Sequence, residues 1–322
     1  MLAGLWLLAA PPALAAQSVT VTGRILHGGQ DRRPLPGQWA VLHEVRSAGG
    51  GALDSGRTDA QGRYRLALRR ADTAALYLVS TTHHGVGYFS APLRVEGRRV
   101  AEAEPIVVFD TTLVGPPIRL ARRLLTVFRA GEGGGREVLE LVEVENPGNR
   151  TRIAPDTLHP VWTVLLPTGA TGWRAGEGDL SPQAVWRSGD TVKVFAPIWP
   201  GGPRQLSYQY FVSGSVMRIP LDQPVTELDL LLEDSTTAPA GAAFDSLGMY
   251  EIEGRRFAAY RAGPLAAGGA VTLRFVRSPL RAEQLVPYIA GVAAAALLWG
   301  LWVAMKKRPP AASAQSSGSR RA

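Results

Sequence analysis

Apolar and polar residues alternate with a period of two through most of Ser18–Arg277. That is the pattern of half-buried β-strands, whose successive side chains face opposite sides. In the first half, this alternation and the Gly/Pro turns between the runs predict strands over Val19–His27, Trp39–Val45, Arg63–Leu68, Leu76–Thr82 and Ile106–Phe109. In the second half, Leu124–Ala130 and Val138–Asn146 flank the glycine-rich Gly131–Gly135 and predict a hairpin. Asn146-Pro147-Gly148-Asn149 then predicts a turn. Further strands are predicted over Trp162–Leu166, Val192–Phe195, Arg204–Val212, Glu227–Leu232, Arg256–Arg261 and Gly269–Arg277. No stretch of 12 residues carries the periodicity of an amphipathic helix. The expected fold class is all-β: two consecutive β-sandwich modules over 18–112 and 118–277, separated at Gly115-Pro116-Pro117.

Two apolar segments frame this body. Residues 1–16 combine a short apolar run, Leu2–Ala10, with small residues up to Ala15 and Ala16, and read as a secretory signal. No Lys or Arg precedes that run. Leu285–Met305 is 21 residues without a charge. As a helix it would span about 31 Å at about 1.5 Å per residue, enough to cross a hydrocarbon core of about 30 Å. Lys306-Lys307-Arg308 follows at once, the basic flank expected on the cytoplasmic side. The expectation is a single-pass protein of a bacterial-type cytoplasmic membrane, with its body in the periplasm or outside the cell. The basic Ala/Ser/Pro-rich tail, 306–322, would be cytoplasmic and disordered.

Charge and composition narrow the function classes. The formal net charge is +8, but five basic residues and no acids lie beyond Met305, so the body carries 30 basic against 27 acidic residues. A near-neutral body is not the clustered basic face that nucleic acid needs, so no nucleic-acid partner is expected. The absence of cysteine excludes disulfides, thiolate metal sites and a Cys nucleophile.

Four short motifs occur in a telling order: Val21-Thr22-Gly23-Arg24-Ile25, Pro34-Leu35-Pro36-Gly37, Val41-Leu42, and Thr58-Asp59-Ala60-Gln61-Gly62-Arg63-Tyr64-Arg65-Leu66. Together they resemble the carboxypeptidase regulatory-like family over about Ser18–Phe109, a third of the chain. The resemblance implies a prealbumin-like, Greek-key β-sandwich of the kind appended to peptidases, transporters and surface proteins. It is to the accessory domain alone and implies no catalytic residues. Read physically, Asp59 accepts a backbone hydrogen bond in a tight turn, Gly62 takes a positive φ, and Tyr64 and Leu66 share one face. These positions are expected to specify a hairpin. Related sandwiches include starch-binding domains, so glycan binding enters by analogy of fold.

Candidate chemistry is sparse. His83-His84 is the one paired histidine, but neighbours on a strand point to opposite faces and cannot chelate one ion, and His27 or His43 could join them only through the fold. They are read as strand or loop histidines; no metal, cofactor or catalytic residue is expected. There is no Gly-x-Ser-x-Gly elbow and no His-Glu-x-x-His helix. Gly131–Gly135 lacks the Gly-Lys-Ser/Thr ending of a phosphate loop. Trp162, Trp173, Trp186 and Trp199 recur every 11 to 13 residues and are mostly expected in a core. Trp173, Trp199 and Tyr88 are taken as a possible interaction surface, since exposed aromatics near loops favour partners. The expected function is a non-catalytic binding or scaffolding module that presents sandwich surfaces to a protein partner. The alternatives are a carbohydrate-binding envelope protein and, third, a cryptic hydrolase.

Overall fold

The computed structural model describes residues 18–275, apart from 30, 47–48, 96–98, 132 and 235–236. The segments 1–16, 285–305 and 306–322 lie outside the described residues; among the described residues no helix is long and apolar enough to cross a membrane. The fold is all-β, and its helical content among the described residues is one 3-10 turn, Pro182–Ala184.

The first half contains β1 (Val19–His27), β2 (Trp39–Arg46), β3 (Gly49–Arg57), β4 (Arg63–Leu68), β5 (Leu76–His83), β6 (Val86–Phe89), β7 (Val100–Glu102) and β8 (Ile106–Val108). One sheet runs β4-β1-β7, with β8 also lying parallel on β1, and the other runs β3-β2-β5-β6. Both sheets contribute to one apolar cluster. Val19, Val21 and Ile25 of β1 and Tyr64, Leu66 and Leu68 of β4 meet Leu42, Tyr77, Val79, Val86 and Tyr88.

The turn into β4 has the chemistry the sequence suggests. Asp59 Oδ1 accepts from the amides of Gln61 at 2.9 Å and Arg63 at 2.8 Å, and Gly62 has φ +69. Its architectural role differs from expectation. This is not a hairpin, because β3 pairs with β2 while β4 pairs with β1 in the other sheet. The turn is an arch between layers. Gly62 also packs beneath β1, where its carbonyl accepts from Ile25 N at 2.8 Å.

A short link, β9 (Thr111–Thr112), pairs in parallel with β12 (Thr151–Arg152). The second half adds β10 (Arg119–Val127), β11 (Gly135–Glu145), β13 (Trp162–Leu165), β14 (Thr171–Ala175), β15 (Val185–Ser188), β16 (Thr191–Val194), β17 (Arg204–Ser213), β18 (Val216–Leu221), β19 (Val225–Leu232), β20 (Pro239–Ala240), β21 (Asp245–Ile252), β22 (Arg255–Ala262) and β23 (Gly269–Arg274). A seven-stranded sheet runs β14-β17-β11-β10-β19-β22-β21. Two three-stranded sheets, β13-β16-β15 and β18-β23-β20, share its apolar cluster from Ile118 to Phe275. The β10–β11 pair is the hairpin expected around Gly131–Gly135, with Val127 opposite Val138.

A charged network lies inside this second cluster. Arg123 of β10 and Glu140 of β11 are both buried, and Arg123 Nε donates to Glu140 Oε1 at 2.5 Å. Tyr208 and Tyr210 of β17 donate to Glu140 Oε1 and Oε2 at 2.7 and 2.9 Å. The Arg123 fork then donates to the Pro220 carbonyl of β18 at 2.9 Å and the Leu165 carbonyl of β13 at 3.1 Å. One guanidinium therefore ties the large sheet to both small ones. Burial opposes its charge, yet Glu140 and the two tyrosines beside it outweigh that and raise its pKa. Burial, with Glu140 adjacent, pushes both tyrosine hydroxyls well above their ordinary range.

Candidate functional site

The described residues bring three histidines to one carboxylate. His27 is the last residue of β1, and Asp110 follows β8, which lies parallel on β1 with His27 opposite Val108. His83 ends β5 on the other sheet. His27 Nε2 and His83 Nε2 lie 3.1 and 3.2 Å from the same atom, Asp110 Oδ1. His84 Nδ1 lies 3.7 Å from that oxygen.

The strand argument against His83 and His84 acting together does not apply. His84 has left the strand: its φ is +48, Gly85 follows at +80, and β6 returns antiparallel. That turn folds the His84 ring onto the His83 ring, stacked at 4.2 Å and 12°. The His27 ring meets His83 edge-on at 5.8 Å. His43 does not join; it bonds Ser80 Oγ at 2.7 Å.

Exposure grades outward across the cluster. The side chains of His83 and His27 are 11% and 15% exposed, Asp110 35% and His84 55%, so the group is open to solvent on one side. Hydrogen bonds from His27 and His83 hold the Asp110 carboxyl down to about 2, against the smaller opposing effect of burial. Backbone contacts fix Asp110 in turn. Its carbonyl accepts from Thr151 N at 2.8 Å, and Phe109 before it packs against Gly28, where any side chain would collide with the ring.

Of the aromatic residues expected to form a surface, Tyr88 is buried, while Trp173 and Trp199 are half-buried. Tyr88 is 2% exposed, which corrects its assignment to a surface. Its hydroxyl donates to the Phe109 carbonyl at 3.0 Å and shares a 2.7 Å bond with Thr151 Oγ1. Trp199 meets it edge-on at 5.9 Å, half-buried, with Arg204 over its other side at 4.6 Å. These two rings join the first cluster to the second half of the chain. Trp173 is half-buried elsewhere, against the second cluster and 6.2 Å from Tyr208.

Exposed large apolar side chains are scattered over several elements, and β21 carries four of them on one strand. All eight of its residues are exposed, and it ends the seven-stranded sheet, paired with β22 alone. Leu247, Met249, Tyr250 and Ile252 are each 42–50% exposed. Met249 is bordered by Arg129 and Arg256, while Glu233 beside it is engaged by Arg255 at 2.8 Å.

No protein-family model matches this chain, and no curated protein matches it. Solved structures similar to part of it include an M1 zinc metallopeptidase of Deinococcus radiodurans, at 11% identity over 49% of this chain and 42% of that one, with a TM-score of 0.33. A 9R-lipoxygenase from Cyanothece PCC8801 is 13% identical over 33% of this chain and 19% of that one, with a TM-score of 0.23. The chain spans under half the length of either. Likenesses at these scores carry no argument about its activity.

Proposed function

We propose that the chain is a non-catalytic, membrane-anchored envelope protein and a binding scaffold outside the cytoplasmic membrane. In this reading both halves are β-sandwich modules, the first of the carboxypeptidase regulatory-like kind. The uncharged Leu285–Met305 and the Lys306-Lys307-Arg308 behind it support the anchor.

The observation that carries the binding role is the open edge at β21. An edge strand offers unpaired N–H and C=O groups to another chain, and strand addition uses them. Met249 and Tyr250 fall on opposite faces, so an added strand meets an apolar neighbour on either side. The register shift between Ser246 and Gly248 bulges the strand, which confines regular pairing to its Met249–Ile252 half and disfavours edge-to-edge pairing of two copies. The occupant that fits is an extended segment of a partner protein, apolar at alternate positions.

The test uses the full chain in gently solubilised membranes, with a photo-crosslinking residue in place of Ile252 or, as a control, Phe89. The expected result is one protein adduct from position 252, absent from 89 and lost on adding Met249→Glu. No adduct at 252, equal adducts from both positions, or adducts between two copies of the chain would overturn the edge as the docking site. Retention on envelope polysaccharide with no protein adduct would replace the reading with the glycan one.

A further inference from the structure

We propose that His27, His83 and Asp110 form a binding site for a divalent transition-metal ion, Zn2+ by the nature of the donors, with His84 as a fourth ligand on the open side. The argument is geometric. Zinc holds imidazole nitrogen at about 2.0–2.1 Å and carboxylate oxygen at about 2.0–2.2 Å in a tetrahedron, which sets neighbouring donor atoms about 3.3–3.5 Å apart. Here Oδ1 of Asp110 stands 3.1 and 3.2 Å from the two Nε2 atoms, and all three donor atoms lie within 4.8 Å of one another. The donors are close to tetrahedral edges on two sides, and the third separation, between the two imidazole nitrogens, lies within 4.8 Å.

Convergence is the second strand of the argument. A carboxylate oxygen accepts up to two donors, and at a partly exposed site solvent can supply either one. Two imidazoles aim the same ring atom at one oxygen, and a third sits 3.7 Å away, held there by a non-glycine residue at positive φ. Two nitrogens and one carboxylate oxygen suit zinc and its borderline neighbours rather than calcium or magnesium, which take oxygen. The ligands come from β1, the end of β5 with the turn after it, and the segment after β8, so an ion would cross-brace both sheets of the first half to the segment that leads into the second.

The test is isothermal titration of the chelator-stripped full chain in detergent micelles with zinc chloride, repeated with cobalt(II), whose visible spectrum reports nitrogen–oxygen ligation in a tetrahedral field. The expected result is one ion per chain, a rise in the melting temperature on loading, and weakening as the medium is acidified, since imidazole ligands must shed protons. His83→Gln and His27→Gln keep an amide donor toward Asp110 and so protect the fold. Each should lower affinity by at least the ten- to hundredfold that even outer-shell partners are worth. His159→Ala, at an exposed histidine paired with Asp156, should change nothing. No saturable uptake by the native chain would make the cluster a hydrogen-bonded one only and overturn the proposal. So would uptake unaltered by His27→Gln and His83→Gln, or uptake abolished by His159→Ala.

Discussion

Replacing Arg123 by Met keeps an unbranched apolar stem and removes the guanidinium fork with its charge. Glu140 then stays inside the second core with two tyrosine hydroxyls as its remaining partners, and the carbonyls of Pro220 and Leu165 lose their donors. Breaking a buried ion pair by removing one partner costs about 3–5 kcal/mol, because the other charge is left uncompensated. Glu140→Leu should cost about as much, stranding the guanidinium and two phenols. The double variant Arg123→Met/Glu140→Leu contains no buried charge. Its remaining cost comes from the four orphaned polar groups, each about 1–3 kcal/mol before relaxation or water entry. We therefore expect the double variant to lose less than the about 6–10 kcal/mol that simple addition of the single losses would give.

Urea unfolding of the full chain in micelles, followed by tryptophan fluorescence, measures this cycle, since Trp173 lies 6.2 Å from Tyr208 and senses the same core. Melting gives a second reading. At about 2–4 °C per kcal/mol for a unit of 150–250 residues, each single variant should melt about 6–20 °C lower. Single losses under about 1 kcal/mol, or a double variant whose loss equals the sum, would refute the view that the four side chains act as one buried unit.

Gly62→Ala would place a methyl 2.6 Å from the Ile25 carbonyl at φ +69, so a loss of about 1–3 kcal/mol is expected in thermal melts; a neutral result would remove the arch from the list of fixed features. Tyr88→Phe deletes the bonds to Phe109 and Thr151 and should cost about 1–3 kcal/mol, visible as earlier exposure of Trp199 to a quencher. Alkaline titration should separate the tyrosines. Burial raises Tyr64, Tyr208 and Tyr210, so their contribution is complete below the unfolded phenol value of about 10 and is lost as pH climbs above it. Their phenolate absorbance should therefore appear only together with loss of the β-sheet circular dichroism. Reversible ionisation of all eight tyrosines near pH 10, with the sheet signal intact, would contradict this.

Strands with clean alternation were legible: β1 and β4 run over the spans that their pattern predicts. Strands without it were not. β3 opens on Gly49-Gly50-Gly51, and β21 breaks alternation with the Met249-Tyr250 doublet after its bulge. Both are edge strands with little to bury, so their sequences are under little pressure to alternate. Turn chemistry at Asp59 was local and therefore readable. The partner of β4 was not, since Leu68 pairs with Val19 far upstream. The histidine cluster needed two facts of different range. That His84-Gly85 is a two-residue turn of the hairpin type was available in the dipeptide. That Asp110 lies beside His27 depends on parallel pairing of β8 with β1, which no local pattern carries. Arg123 and Glu140, by contrast, stand at inward-facing positions among Leu125, Val127, Val138 and Val142, and that phase alone marks both as buried.

Three of the buried polar side chains, Arg123, Asn146 and Thr151, sit at joints between elements. Apolar burial is non-directional, so it holds two layers together without fixing how they meet. A buried donor has no such freedom, because losing its acceptor leaves it unsatisfied away from water. The Arg123 fork meets carbonyls from two separate small sheets, which sets both against the large one. Asn146, also buried, donates to the Arg150 and Ile198 carbonyls and accepts from Gly148 N, which fixes the turn that delivers Thr151. Thr151 meets the Tyr88 hydroxyl, and its amide holds the Asp110 carbonyl. The link that carries Asp110 is thus bonded from both halves of the chain, and this places a carboxylate beside histidines from two sheets with little freedom to drift. The same seam that orders the two halves gives the His27–His83–Asp110 group its geometry.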